Sequence, residues 1–127
     1  LSKNKLSELP SEITRFTALD KLNLYHNRLV SLPEEINQLC HLTYLDISRN
    51  QLSVLPAYHC KLPLQVLLVS HNRLVSLPEE INQLCQLIEL DASCNQLSHL
   101  PIQLGDLQHL EALNLRKTFW LNCQEVL

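Results

Sequence analysis

Apolar and polar positions alternate along this chain on a fixed beat. Aligned on LxxLxLxxNxL, four segments coincide: LDKLNLYHNRL from Leu19, LTYLDISRNQL from Leu42, LQVLLVSHNRL from Leu64 and LIELDASCNQL from Leu87. A fifth, LEALNLRKTFW from Leu110, keeps only the first half, and the chain opens inside an earlier copy, LSKNKL. The copies start 23, 22, 23 and 23 residues apart. Each complete copy continues as xxLPxxIxxLxx, as in VSLPEEINQLCH. A period in the twenties is the mark of a stacked solenoid, in which each unit buries its apolar face only against its neighbours.

Within a unit, LxxLxL predicts a short strand whose alternating leucines point inward. Successive units are expected to pair these strands in parallel, about 4.8 Å apart. Leu9, Leu32, Leu55, Leu77 and Leu100 begin a return path, and Pro10, Pro33, Pro56, Pro78 and Pro101 bar a strand there. The Ile13, Ile36 and Ile81 column and the Phe16, Leu39, Leu62, Leu84 and Leu107 column are expected to close the core from the far side, as short helix or 3₁₀ turn. The column Asn4, Asn27, Asn50, Asn72 and Asn95 needs hydrogen bonds if buried. It is expected to bond turn backbone in its own unit and the next. This would replace glycine as the turn device, since the chain has one glycine.

HNRLVSLPEEINQLC occurs twice, from His26 and from His71. Most of it is framework that every unit must supply. The identity extends to Glu34–Glu35 and Glu79–Glu80, which packing does not require, so a duplication accounts for it better.

These features resemble the leucine-rich repeat. The expected fold is α/β: a right-handed β-α superhelix with a curved parallel sheet on its concave face. Residues 1–117 form the array (a partial first unit, four full units and the start of a fifth). Residues 118–127 form a non-repeat tail or improvised cap, with Phe119 or Trp120 over the last core layer. His59 stands where the pattern wants Ile and is expected at a loosened turn. LNLYHN, LTYLDISRNQLSVLP, LPLQVLLVSHN and LDASCNQ, with the one-residue shortening at CKLP-LQVL, resemble the repeat region of the leucine-rich repeat and calponin-homology domain family. The LPxxI units also resemble, with lower specificity, Scribble-like polarity scaffolds and Ras-pathway repeat proteins. The likeness implies a cytoplasmic adaptor, associated with membrane or cytoskeleton and linked to cytoskeletal or Rho-type GTPase control.

Composition narrows the function. A formal net charge of −3 supplies no drive toward nucleic acid. No apolar run approaches the roughly 20 residues of a membrane span. The start, LSKNKLSELP, lacks the charged-then-apolar order of a signal peptide and reads as the edge of a longer chain or a mature terminus. Five cysteines without a CxxC fit free thiols in a reducing compartment.

The non-leucine strand positions face the concave side, where a partner protein is expected to dock. The columns read Lys21, Tyr44, Val66, Glu89, Ala112; then Asn23, Asp46, Leu68, Asp91, Asn114; then Tyr25, Ser48, Ser70, Ser93, Arg116. A fourth, at the strand exit, reads Lys3, His26, Arg49, His71, Cys94, Lys117 and is basic in character. Lys21, Tyr25, Tyr44, Asp46, Arg49, His71, Glu89, Asp91, Asn114 and Arg116 are the candidate contacts. Tyr25 and Tyr44 are expected near Arg49, because aromatics and Arg anchor interfaces.

Catalysis would rest on Cys94 beside His71, with Asp91 near, but no oxyanion donors or enclosing loop accompany them. No cofactor is expected. His26 and His71 are two strands apart, about 10 Å, too far to share a zinc ion. The same spacing keeps Cys40 and Cys85 beyond disulfide reach. The reading is a non-catalytic protein-interaction module. Its alternative is a structural or truncated fragment of a larger scaffold with no partner of its own. The oligomeric state and the partner's identity are not written in the residues.

Overall fold

The computed structural model describes residues 5–55 and 62–118. Lys3, Asn4, Pro56, His59, Cys60 and the tail from Phe119 through Trp120 and Cys123 lie outside the described residues.

Five three-residue strands form: β1 (Lys21–Asn23), β2 (Tyr44–Asp46), β3 (Val66–Leu68), β4 (Glu89–Asp91) and β5 (Ala112–Asn114). They pair in parallel in chain order. The register joins Leu22, Leu45, Leu67, Leu90 and Leu113 across the sheet. Leu45, Leu67 and Leu90 are 0% exposed and Leu22 is 4%. Leu24, Ile47, Val69 and Ala92 form a second buried row. Each such leucine contributes about 1.5–3 kcal/mol relative to exposure. The spine thins at β5, where Leu113 is 43% exposed because no further described strand covers it.

The return path contains 3₁₀ segments over Ser11–Arg15, Glu34–Gln38, Glu79–Gln83 and Ile102–Asp106. Each follows a proline whose φ lies between −61° and −71°, the value its ring imposes. The proline carbonyl accepts the N–H three residues on, as Pro33 does from Ile36 at 3.2 Å and Pro78 from Ile81 at 3.1 Å. That i→i+3 bond makes the turn 3₁₀ rather than α. It aims Ile36 and Ile81 into the core, where both are fully buried. Leu39, Leu62, Leu84 and Leu107 are buried as expected, but Phe16 is 62% exposed. Among the described residues only the following unit flanks Phe16, and its ring is wider than the leucine of the later units.

The asparagines form the ladder, with one correction to its direction. Asn50 Oδ1 accepts from Leu29 N–H at 3.0 Å, and its Nδ2 lies 3.0 Å from the carbonyls of Leu24 and Ile47. Leu24 and Leu29 belong to the preceding unit, not the next. Asn72 and Asn95 repeat the arrangement. The strand leaves its ladder before the return path turns back, so the amide finds unsatisfied backbone behind it.

The turn has a second component. His26, Arg49, His71, Cys94 and Lys117, each directly before the asparagine column, have φ between 53° and 60°. This left-handed conformation costs an L-residue roughly 1–2 kcal/mol. It directs the N–H groups of His26, Arg49, His71 and Cys94 to the carbonyls of Ser48, Ser70, Ser93 and Arg116 in the following unit. The single glycine, Gly105, lies elsewhere, in a 3₁₀ segment.

Candidate protein-binding face

The register aligns the expected columns residue for residue. Lys21, Tyr44, Val66, Glu89 and Ala112 share one row, and Asn23, Asp46, Leu68, Asp91 and Asn114 share the next. Lys21, Arg49, His71, Glu89 and Arg116 are exposed, whereas Tyr25, Tyr44, Asp91 and Asn114 are partly buried. Asp46 is only 9% exposed.

The second row has a structural task that its letters alone did not reveal. Asp46 Oδ1 accepts from Ser48 N–H at 3.0 Å, and Asp91 Oδ1 accepts from the N–H and hydroxyl of Ser93 at 3.0 and 2.7 Å. Asn23 and Asn114 bond Tyr25 N–H and Arg116 N–H in the same way. These are Asx turns, which fix the strand exit. Only Leu68 breaks the series, having no acceptor to offer. The signal was present in the sequence as an Asx two residues before the buried serines.

Tyr44 sits near the carboxylates of Asp46 and Glu89. Burial pushes its phenol above the usual value, and the negative charges of Asp46 and then Glu89 push it further. It therefore presents a neutral O–H donor at ordinary pH. Arg49 lies five residues on, past the end of β2 and in the left-handed turn. It shares the exit edge with Tyr25, whose ring meets that of His26 edge-on, 6.0 Å between centroids.

Glu89, Asp91 and Asn114 come together at a recess of about 370 Å³ over β4 and β5, joined by Glu111. A second recess of about 410 Å³ opens at the strand-entry edge, lined by Gln65, Gln86, Ile88, Gln108, His109 and Glu111. The reading of the columns missed both Glu111 and this edge, because the position after the first leucine was not counted as surface.

Cys94 and His71 are neighbours in the exit column, but no hydrogen bond joins their side chains among the described residues; His71 N–H is bonded to Ser93 O. Cys40 and Cys85 are exposed free thiols. Among the described residues no group of three or more His, Cys, Asp and Glu could hold a metal. No described helix is long and apolar enough to cross a membrane.

Comparison with known proteins agrees with the geometry. Models of the leucine rich repeat match residues 1–58 and 63–84, together more than half of the chain. The mouse and human leucine-rich repeat and calponin homology domain-containing protein 1 are each 56% identical over 70 residues. That match covers 55% of this chain and only 10% of either relative. Among solved structures, a leucine-rich repeat protein of Leptospira interrogans superposes with a TM-score of 0.91 at 39% identity, over 93% of this chain and 30% of that one. An internalin of Listeria monocytogenes gives 0.75 at 25% identity, over 87% of this chain and 32% of that one. A plant peptide hormone receptor in complex with RGF2 gives 0.76 at 37%, over 85% and 18%. The chain belongs to the leucine-rich repeat family, and its repeats resemble those of the calponin homology domain-containing branch.

Proposed function

We propose that this array is a non-catalytic protein-interaction module that receives a partner protein on its concave sheet face. The observation that supports it most is the division of labour along each strand. Leucines fill the spine, asparagines and Asx residues hold the turns, and the letters between them are free to differ at fixed register. The row Lys21, Tyr44, Val66, Glu89, Ala112 carries five different side chains on one rigid sheet. Variable letters on an invariant frame serve recognition, since packing does not need them. The solved plant receptor, similar in fold, is itself in a complex.

The likeness to the calponin homology domain-containing proteins supports a place in a cytoplasmic adaptor of cytoskeletal or small-GTPase signalling, at membrane or cytoskeleton. The candidate contacts are Lys21, Tyr25, Tyr44, Asp46, Arg49, His71, Glu89, Asp91, Asn114 and Arg116. Tyr44 and Glu89 lead, because one is a half-buried aromatic with a free donor and the other an exposed acid at a recess. The test is capture of partners from cell extract by the wild-type chain and by Y44A/E89A, with folding confirmed by circular dichroism. Loss of a partner with the fold intact supports the reading. Capture unaltered by this and other concave substitutions overturns it.

A further inference from the structure

Charge is segregated around this solenoid. The chain is net negative, yet the turns leaving the strands hold no carboxylate in 25–31, 48–54, 70–76 or 93–99, and the first turn, with Lys5, holds one, Glu8. Of the exposed cations among the described residues, Lys5, Arg28, Arg49, Arg73, Arg116 and Lys117 lie along this one edge, and Arg15 and Lys21 lie off it, in a 3₁₀ segment and in β1. Their backbones are anchored: Arg28 N–H donates to Leu6 O and Arg73 N–H to Leu52 O, each at 2.8 Å, and Arg49 N–H to Ser70 O at 2.9 Å. His26 and His71, also exposed, stand in the same left-handed column as Arg49. Between the cations the turns present Val30, Val54 and Val75, each half or more exposed.

We propose that this exit edge is a second docking surface, and that it takes an extended acidic segment of a partner protein with apolar side chains among its carboxylates. It goes beyond the concave-face reading and does not depend on it. Six turns at about 4.8 Å make a strip about 24 Å long. An extended peptide advances about 3.3 Å per residue, so about seven residues cover it. The strip is one turn wide. On its concave side the carboxylates of Asp46 and Asp91 are held in place by Ser48 and Ser93. A bilayer or a nucleic-acid duplex is broad enough to lay its phosphates over those acids as well, whereas a single extended chain can follow the cations alone. The valines add apolar contacts that a bare polyanion would leave unused. Cation rows of this kind steer and orient a partner.

The probe is a fluorescein-labelled octapeptide, Glu-Val-Glu-Glu-Val-Glu-Glu-Val, followed by anisotropy with the 127-residue chain. The glutamine version of the peptide, phosphatidylserine vesicles and a DNA duplex form the other arms. Expected are binding of the acidic peptide that weakens as salt rises past about 0.15 M, and no binding of the glutamine version. R28E/R49E/R73E should weaken it about tenfold or more, while Y44A leaves it unchanged. R28Q/R49Q/R73Q is the milder control for folding, since Gln51 and Gln96 already occupy the column of Arg28 and Arg73. It should weaken binding in the same direction. No binding by the wild type, binding indifferent to both triple variants, or tighter edge-dependent binding of vesicles or duplex would overturn the proposal. Arg49 stands in both surfaces, but Y44A/E89A spares the edge and R28E/R73E spares every concave contact, so this pair of variants reads loss of a concave partner and loss of the acidic peptide separately.

Discussion

Asn72 accepts, through its side-chain oxygen, a hydrogen bond from Leu52 N–H at 3.0 Å, twenty residues back in the preceding unit. Its Nδ2 lies 3.0, 3.0 and 3.1 Å from the carbonyls of Ile47, Val69 and Ser70. One buried amide thus ties two units together. Asn72→Ala leaves Leu52 N–H without its acceptor, while the carbonyls of Ile47, Val69 and Ser70 keep Asn50 Nδ2, Asn95 Nδ2 and Arg49 N–H as donors. Urea unfolding should show a loss of about 1–3 kcal/mol, the cost of one buried donor left unpaired. A loss below about 1 kcal/mol would mean that the ladder is incidental to stability.

Thr118 occupies the asparagine column of the last unit, fully buried, and its Oγ1 has no hydrogen-bond partner. By analogy with Leu74 and Asn95, an amide there would accept from Leu97 N–H. Thr118→Asn is expected to stabilise the chain by about 1 kcal/mol, read as a higher urea midpoint with unchanged slope. An unchanged or lower midpoint would show that the ladder cannot be extended there.

His71 holds φ 53° at an exposed position. A β-branched side chain is poorly tolerated in that conformation, whereas glycine enters it freely. His71→Val should cost about 1–2 kcal/mol. His71→Gly should lie within about 0.5 kcal/mol of the wild type, its relief of strain offset by the entropy it adds to the unfolded chain. Equal effects of the two would contradict a left-handed turn.

The raised phenol of Tyr44 has a consequence for alkaline stability. Its folded value lies above the ordinary 10.0, so the folded state holds the proton more tightly than the unfolded chain. The contribution is complete below about pH 10 and is lost as pH rises through the folded value. Difference titration of the wild type against Tyr44→Phe, by absorbance of the phenolate, should place this group above the ordinary value. Glu89→Gln should lower it only in part, because burial is the larger cause.

How far the sequence foretold this depends on the kind of interaction. Leu22, Leu45, Leu67 and Leu90 were legible because a strict repeat forces equivalent residues into one layer. The same repeat placed Lys21 opposite Tyr44 and Asn23 opposite Asp46. What stayed hidden was local or contextual. An Asx turn at Asp91 involves one residue and its neighbour two along, and leaves the same trace as a surface acid. The left-handed turns escaped because histidine, arginine, cysteine and lysine, not glycine, adopt them. Glu35 and Glu80 are the same letter within identical stretches, yet Glu35 is exposed and Glu80 is half-buried with one unpartnered carboxylate oxygen. Their neighbours differ, and no reading of the repeated letters separates them.

Amide hydrogen exchange of the array alone and bound to a captured partner tests the display account most directly. The account predicts new protection at the three-residue strands, centred on Tyr44, Val66 and Glu89, with the 3₁₀ segments Glu34–Gln38 and Glu79–Gln83 unchanged. Protection confined to those 3₁₀ segments, with the strands exchanging as in the free chain, would contradict it.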